Sequence, residues 1–308
     1  MRLYTKSIVI LSAVVLAVLV CILLMQNSVK QSNDGKVIQI VAAENFWGSL
    51  ASQLGGNRVH VLSIVSDPNA DPHEYESNSV DARSVATANF VILNGIGYDT
   101  WANQLLNASV NKNRTVLTIG NLVGKKAGDN PHLWYDPAYV NRAIIQIDQD
   151  LISIDPVHKS YFQKQLANLQ SSLSTYQNRI KSIKKQFGGE KVASTEDIFA
   201  YLASASGLDL ISPSSFTEAV AEGNDPPTGS IVEFQQQLES EQVKVLVYNE
   251  QTVTPLTSSI KTIAAENNIP IVGVTETIQP PDTSFQVWMN AELLQLQNAL
   301  NAEALGKS

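Results

Sequence analysis

The stretch "PVHKSYFQKQLANLQSSLSTYQNRIKSIKKQF", Pro156 to Phe187, decides how the rest of the chain is read. Phe162, Leu166, Leu169, Leu173, Tyr176, Ile180, Ile183 and Phe187 recur at spacings of 4, 3, 4, 3, 4, 3 and 4. That period places one narrow apolar stripe along a single helix, ended by Gly188-Gly189. At 1.5 Å per residue it would run about 45–48 Å, longer than one small domain needs. A coiled-coil partner helix would carry a similar stripe. A rigid spine behind two lobes fits better, because strand and helix patterns alternate on both sides of it.

Before the spine, "KVIQIVAAENFWGSLASQL" reads as a strand and then a helix, with further strands at Arg58–Ser66, Phe90–Leu93 and Arg114–Gly120. A short helix is expected over Asp81–Ala88, and Asp136-Pro137 opens another that runs to Asp155. After the spine, "EKVAST", "VKVLVYN" and "IPIVGVTET" read as strands separated by helical patterns, and "FQVWMNAELLQLQNALN" closes the chain as a helix. The expected fold is α/β, with two lobes, each a mostly parallel sheet flanked by helices, joined by one long backbone helix. The boundaries read are 1–36 for a signal or membrane anchor with a polar linker, 37–155 for the first lobe, 156–187 for the linking helix and 188–308 for the second lobe. No internal repeat is strong enough to claim duplication.

Composition narrows the chemistry. The net charge of −8 disfavours a nucleic-acid partner, which requires a basic surface. The one cysteine, Cys21, lies in the N-terminal apolar run, so the folded part holds no disulfide and no thiolate-bound metal. That run, Ile8 to Met25, follows Arg2 and Lys6 and precedes a polar tract, which reads as an export signal. No small-x-small cleavage site follows it, and Val20 stands where a lipidation site takes Gly, Ala or Ser. An uncleaved anchor is therefore favoured over a lipidated cysteine, and either places the protein on the extracytoplasmic side, at the cell surface or in the periplasm.

Two of the four histidines share an unusual setting. His73 sits in "DPHEYE" and His132 in "DNPHLWYDP", each behind a proline in a loop after a strand. Such loops gather ligands at the carboxyl ends of parallel strands, and the proline stiffens the presentation. Neutral imidazole is a common ligand for borderline metals, so the pair points to a metal site. His60 reads as a strand-face residue and His158 as a solvated one. Oxygen ligands are expected from the second half. Glu196 and Glu276 are placed for this, with Glu250, Glu222 and Asp225 as alternatives that pattern alone does not rank. Glu74, Tyr75 and Asp136 are the expected orienting partners of the imidazoles.

With these motifs in view, the chain resembles the TroA-like, or cluster A-I, metal-binding solute receptors of bacterial ABC importers for zinc and manganese. "DPHEYE" and "NPHLWYDP" match that family's first two ligand motifs, and "STEDIFAYLASASGL" and "GVTET" resemble its third and fourth. The resemblance covers roughly Ile38 to Leu300 and implies the ligands His73, His132, Glu196 and Glu276. Glu276 stands where the family usually has Asp, and the His-rich acidic loop of many zinc receptors is replaced by "VGKKAGD". The resemblance implies a receptor that passes Mn2+ or Zn2+ to an ABC permease and its ATPase. The donor set also admits Fe2+, and a monomer held by the N-terminal anchor is expected, although the poor lipidation site departs from the family. Two imidazoles and two carboxylates lean by donor type towards Mn2+. A zinc-dependent extracellular hydrolase is the alternative from another class. Against it stand the lack of an H-E-x-x-H motif and of a G-x-S-x-G elbow. A surface adhesin on the same fold is a further alternative.

Overall fold

The computed structural model describes residues 37–69 and 72–306. The apolar run Ile8–Met25 lies outside the described residues, as does the anchor read from it. Among the described residues no helix is long and apolar enough to cross a membrane.

Two four-stranded parallel sheets carry the fold. The first contains β1 (Ile38–Glu44), β2 (Val59–Val65), β3 (Phe90–Leu93) and β4 (Thr115–Thr118) in the order β2-β1-β3-β4. The second contains β5 (Lys191–Ser194), β6 (Asp209–Leu210), β7 (Leu246–Asn249) and β8 (Ile271–Val274) in the order β6-β5-β7-β8. The order is the same in both, and each sheet reverses direction of winding between its two central strands. Ligands gather above the carboxyl ends at such a switch point.

The central strands β3 and β7 are buried on both faces, which explains their continuous apolar spelling, while the edge strands β2 and β4 are partly exposed. Side chains alternate between faces along a strand. Ile38, Ile40 and Ala42 of β1 and Phe90 and Ile92 of β3 therefore join the main core, while Val41, Ala43, Val91 and Leu93 join a separate outer cluster. In the second sheet Val192, Val247, Val272 and Val274 face that same main core, and Ala193 and Leu246 face an outer cluster with Phe216 and Phe234. One apolar core thus runs continuously between the inner faces of both sheets.

Helices α1 (Asn45–Gly55), α2 (Ser79–Thr87), α3 (Thr100–Ala108), α4 (Ile119–Val123) and α5 (Pro137–Ile154) belong with the first sheet. Asp136 caps α5 by accepting from Ala138 N and Tyr139 N, with Pro137 in the first turn. The spine is α6 (Lys159–Phe187), 29 residues or about 43 Å. Pro156–His158 form a separate 3-10 turn, so the regular helix starts three residues later than the apolar period implied. Seven of the eight stripe residues are buried, and Leu166 packs against the core half-exposed. The stripe lies against α1, α5 and the terminal helix, not against a second chain. Helices α7 (Ala200–Ala205), α8 (Ser214–Ala221), α9 (Thr228–Glu239), α10 (Pro255–Glu266) and α11 (Phe285–Gly306) complete the second half. Arg179 of α6 donates to Asn290 and Gln297 of α11 at 2.8 Å each, so polar bonds flank the apolar seam.

The strand expected over Arg114–Gly120 ends at Thr118, where Ile119 and Gly120 turn into α4. Gly120 lets this turn pack closely on the loop after β3, because a Cβ there would meet Ile96 Cγ2 at 2.5 Å.

Candidate metal centre

All four expected ligands come together. One donor atom from each of His73, His132, Glu196 and Glu276 lies within 4.8 Å of every other. His73 sits on the 3-10 turn Pro72–Glu74, His132 leads into the 3-10 turn Leu133–Tyr135, Glu196 follows β5 and Glu276 follows β8. His73 Nε2 is 3.1 Å from Glu276 Oε2 and 3.9 Å from Glu196 Oε1. His132 Nε2 is 3.2 Å from Glu196 Oε1 and 3.9 Å from Glu276 Oε2. A tetrahedral cation with bonds of about 2.1 Å sets its ligand atoms about 3.4 Å apart, so these four edges bracket the required size. His132, Glu196 and Glu276 are fully buried, and the His73 side chain is 22% exposed. Of the other acids considered, Glu250, Glu222 and Asp225 are exposed and stand outside the cluster.

The first lobe builds its half from the end of β3. Asn94 accepts from Trp47 Nε1 at 3.2 Å and donates to Pro131 O at 2.8 Å, which ties the β3 end to the His132 loop. Asp99 accepts from Asn94 N and Gly95 N at 2.7 and 2.9 Å, folding the intervening loop so that Tyr98 turns inward. Tyr98 then donates to Glu276 Oε2 at 2.7 Å, across the cleft. Its ring meets His73 edge-on at 4.9 Å. Behind this loop Glu44 is buried, and burial together with the adjacent Asp99 raises its pKa well above the usual carboxylate range.

The orienting partners differ from those expected. Tyr75 donates to Asp81 and Asp136 caps α5, so neither faces a ligand ring. Instead His132 Nδ1 is 3.0 Å from Asn130 Oδ1 and 3.1 Å from Asp197 Oδ1. A proton held there on Nδ1 leaves Nε2 as the donor atom aimed into the cluster. Asn130 also donates to Asp197 O at 2.7 Å, and Tyr201 donates to Asn130 O at 2.9 Å, bonding the His132 loop to the second lobe. Glu74, the third expected partner, follows His73 on its turn and is exposed. Asp197 was hidden from a motif reading because it lies 65 positions down the chain. His60 lies on strand β2, as expected, with its side chain exposed, whereas His158, expected to be solvated, pairs with Asp155 through Nδ1.

A second bridge lies beneath the site. Tyr135 OH is 2.9 Å from Thr275 O and 2.8 Å from Glu292 Oε2, while Thr275 N donates to Glu292 Oε1 at 3.0 Å. Burial pushes Glu292 up to about 8, so it is a neutral acid at pH 7. Tyr135 OH, within bonding distance of both Glu292 and the carbonyl next to Glu276, links the His132 loop to the end of β8.

Without a cation the charges of His73, His132 and Glu276 depend on their neighbours in the cluster. Burial opposes charge on His132, but hydrogen bonds to Asp197 and Glu196 outweigh it and push the imidazole up to about 10. Burial likewise opposes His73, and the Glu276 charge overrides it upward. Burial opposes the Glu276 carboxylate, but His73 holds it down at about 2. The His132 contribution to ion-free stability is therefore complete below its ordinary 6.5 and is lost as pH rises through about 10. The Glu276 contribution is complete above 4.5 and is lost as pH falls through about 2. A metal needs neutral imidazoles, so capture at pH 7 is expected to expel at least about one proton per ion. Titration calorimetry in buffers of different ionisation enthalpy checks this, and heats independent of the buffer would contradict it.

The chain is similar to known metal-binding receptors. The manganese ABC transporter substrate-binding lipoprotein PsaA of Streptococcus anginosus is 26% identical over 266 residues, covering 79% of this chain and 81% of the relative. The metal ABC transporter substrate-binding lipoprotein FimA of Streptococcus parasanguinis is 27% identical over 290 residues, covering 86% and 88%. Among solved structures, the substrate-binding protein FpvC of Pseudomonas aeruginosa in complex with Mn2+ superposes with a TM-score of 0.72 at 18% identity, over 87% of this chain and 99% of that one. The family described as the periplasmic zinc-uptake complex component A matches residues 40–299, and the chain belongs to that family.

Proposed function

We propose that the protein is the extracytoplasmic receptor of an ABC importer, which captures one divalent transition-metal ion, Zn2+ or Mn2+, between its lobes and delivers it to a permease driven by an ATPase. His73, His132, Glu196 and Glu276 are its ligands, and the protein acts as a monomer held to the membrane by residues 1–36. The observation that carries the reading is the convergence of two imidazoles from one lobe and two carboxylates from the other. Four protein donors satisfy a tetrahedral ion and leave no position for a reactive water, which disfavours hydrolysis. Membership of the family points the same way, and neither the hydrolase nor the adhesin reading gains support from it.

Titrating the stripped protein with Zn2+ and Mn2+ is expected to give about one ion per chain, as a single four-donor site requires. Bound ion also stabilises the folded state, by about 4 kcal/mol at a free concentration of 1,000 Kd. A chain that takes up neither ion, or melts unchanged with saturating metal, would remove the assignment.

A further inference from the structure

Asn249 ends β7 at the switch point of the second sheet and is fully buried. Its Oδ1 accepts from Gln251 N at 3.0 Å. That bond fixes which way the amide faces, so Nδ2 and its two hydrogens point at the acids. Nδ2 donates to Glu196 Oε2 and, at 2.9 Å, to Glu276 Oε1. Thr252 Oγ1 lies 3.0 Å from the same nitrogen and 3.3 Å from Glu276 Oε1. Gln251 holds the neighbouring loop in register, its Oε1 accepting from Glu276 N at 2.7 Å and Thr277 N at 2.9 Å. One oxygen of each ligand carboxylate is thus engaged on the side away from the histidines. The other two, Glu196 Oε1 and Glu276 Oε2, are the atoms that face them.

We infer that Asn249 is a positioning residue that sets metal specificity: by engaging the far oxygen of both carboxylates at once, it confines each to one-oxygen coordination and so selects Zn2+ over Mn2+. The inference rests on the metal-capture reading above and adds to it which ion the site prefers. Two nitrogens and two single oxygens complete a zinc sphere. Manganese favours six, largely oxygen, donors, and the simplest source of two more is the second oxygen of each acid. Turning either carboxylate to chelate would draw its far oxygen away from the Asn249 amide and weaken a buried hydrogen bond, leaving Thr252 Oγ1 and the other acid as the remaining acceptors. The donor types alone lean towards Mn2+; the restraint on their geometry leans towards Zn2+.

The test compares the wild-type protein with Asn249→Leu, similar in volume but without a donor, and with Asn249→Ala. Competition titrations with Zn2+ and Mn2+ give the ratio of their dissociation constants, and Co2+ serves as a spectroscopic probe of coordination number. Wild-type protein is expected to give the intense visible bands of four-coordinate Co2+. Both variants are expected to reduce the preference for Zn2+ by about tenfold or more, the scale of outer-partner effects on metal sites. Their Co2+ bands should weaken towards the six-coordinate pattern. A merely structural asparagine would lower the affinity for both ions together and leave the ratio unchanged, and that result overturns the inference while the capture reading stands. A six-coordinate Co2+ spectrum in the wild-type protein overturns it too, without reliance on variants that fail to fold. Absence of any metal binding by the wild-type protein overturns the capture reading itself.

Discussion

Replacing His132 with alanine is expected to weaken Zn2+ and Mn2+ binding by more than about 100-fold, since disturbing even the outer partners of a ligand costs about 10–100-fold. The imidazole is fully buried, and its two nitrogens join opposite sides of the site. Nε2 faces Glu196 Oε1 at 3.2 Å, while Nδ1 lies 3.0 and 3.1 Å from Asn130 and Asp197. The substitution removes one of the four proposed ligands and also leaves Glu196 and Asp197 without the imidazole that faces them. An equilibrium competition with a chromophoric chelator measures the loss. His60→Ala is the control, because His60 is exposed on the edge strand β2, away from the cluster. Affinity within threefold of wild type in His132→Ala would show that the cation is held elsewhere.

Trp134→Ala is expected to destabilise the protein by about 3–5 kcal/mol, the range for deleting a large buried aromatic. The indole is 1% exposed and stacks on Phe46 with ring centroids 3.9 Å apart at 20°. Its edges meet Tyr98 and His132, each at 5.3 Å. The ring is therefore a wall of the metal centre as well as part of the main core, and its loss is expected to lower metal affinity alongside stability. Denaturant unfolding of the ion-free protein isolates the stability change, and a loss below about 1 kcal/mol would mean that the surroundings collapse to fill the space.

The spine, the alternating strands and the Pro-His pair were legible because each writes a strong local pattern. A stripe of period 3.5 over some 30 residues has few other readings, and strands buried on both faces spell themselves as unbroken apolar runs. Three elements left weaker traces: α3, nine residues long; α8, eight residues between Pro213 and Gly223; and β6, a two-residue strand. Segments this short are settled by what they pack against rather than by their own spelling. The same limit applied to the site. His73 and His132 carried a repeated motif, whereas Glu196 and Glu276 were singled out from other loop acids only through family likeness. Asn249, Asp197 and Tyr98 carried no signal at all, because their roles depend on partners 27 to 178 positions away. At "VYNEQT" the charged Glu250 drew attention, yet the neutral residue before it does the holding, since side chains alternate across a strand end and only one of two neighbours can face the cleft.

The uneven burial of the four ligands has a kinetic consequence. Three are sealed from water and His73 alone reaches it. Water would reach an ion held by these four residues first at that edge. The 3-10 turn Pro72–Glu74, which carries His73, is therefore the edge of the cluster at which exchange with solvent would start.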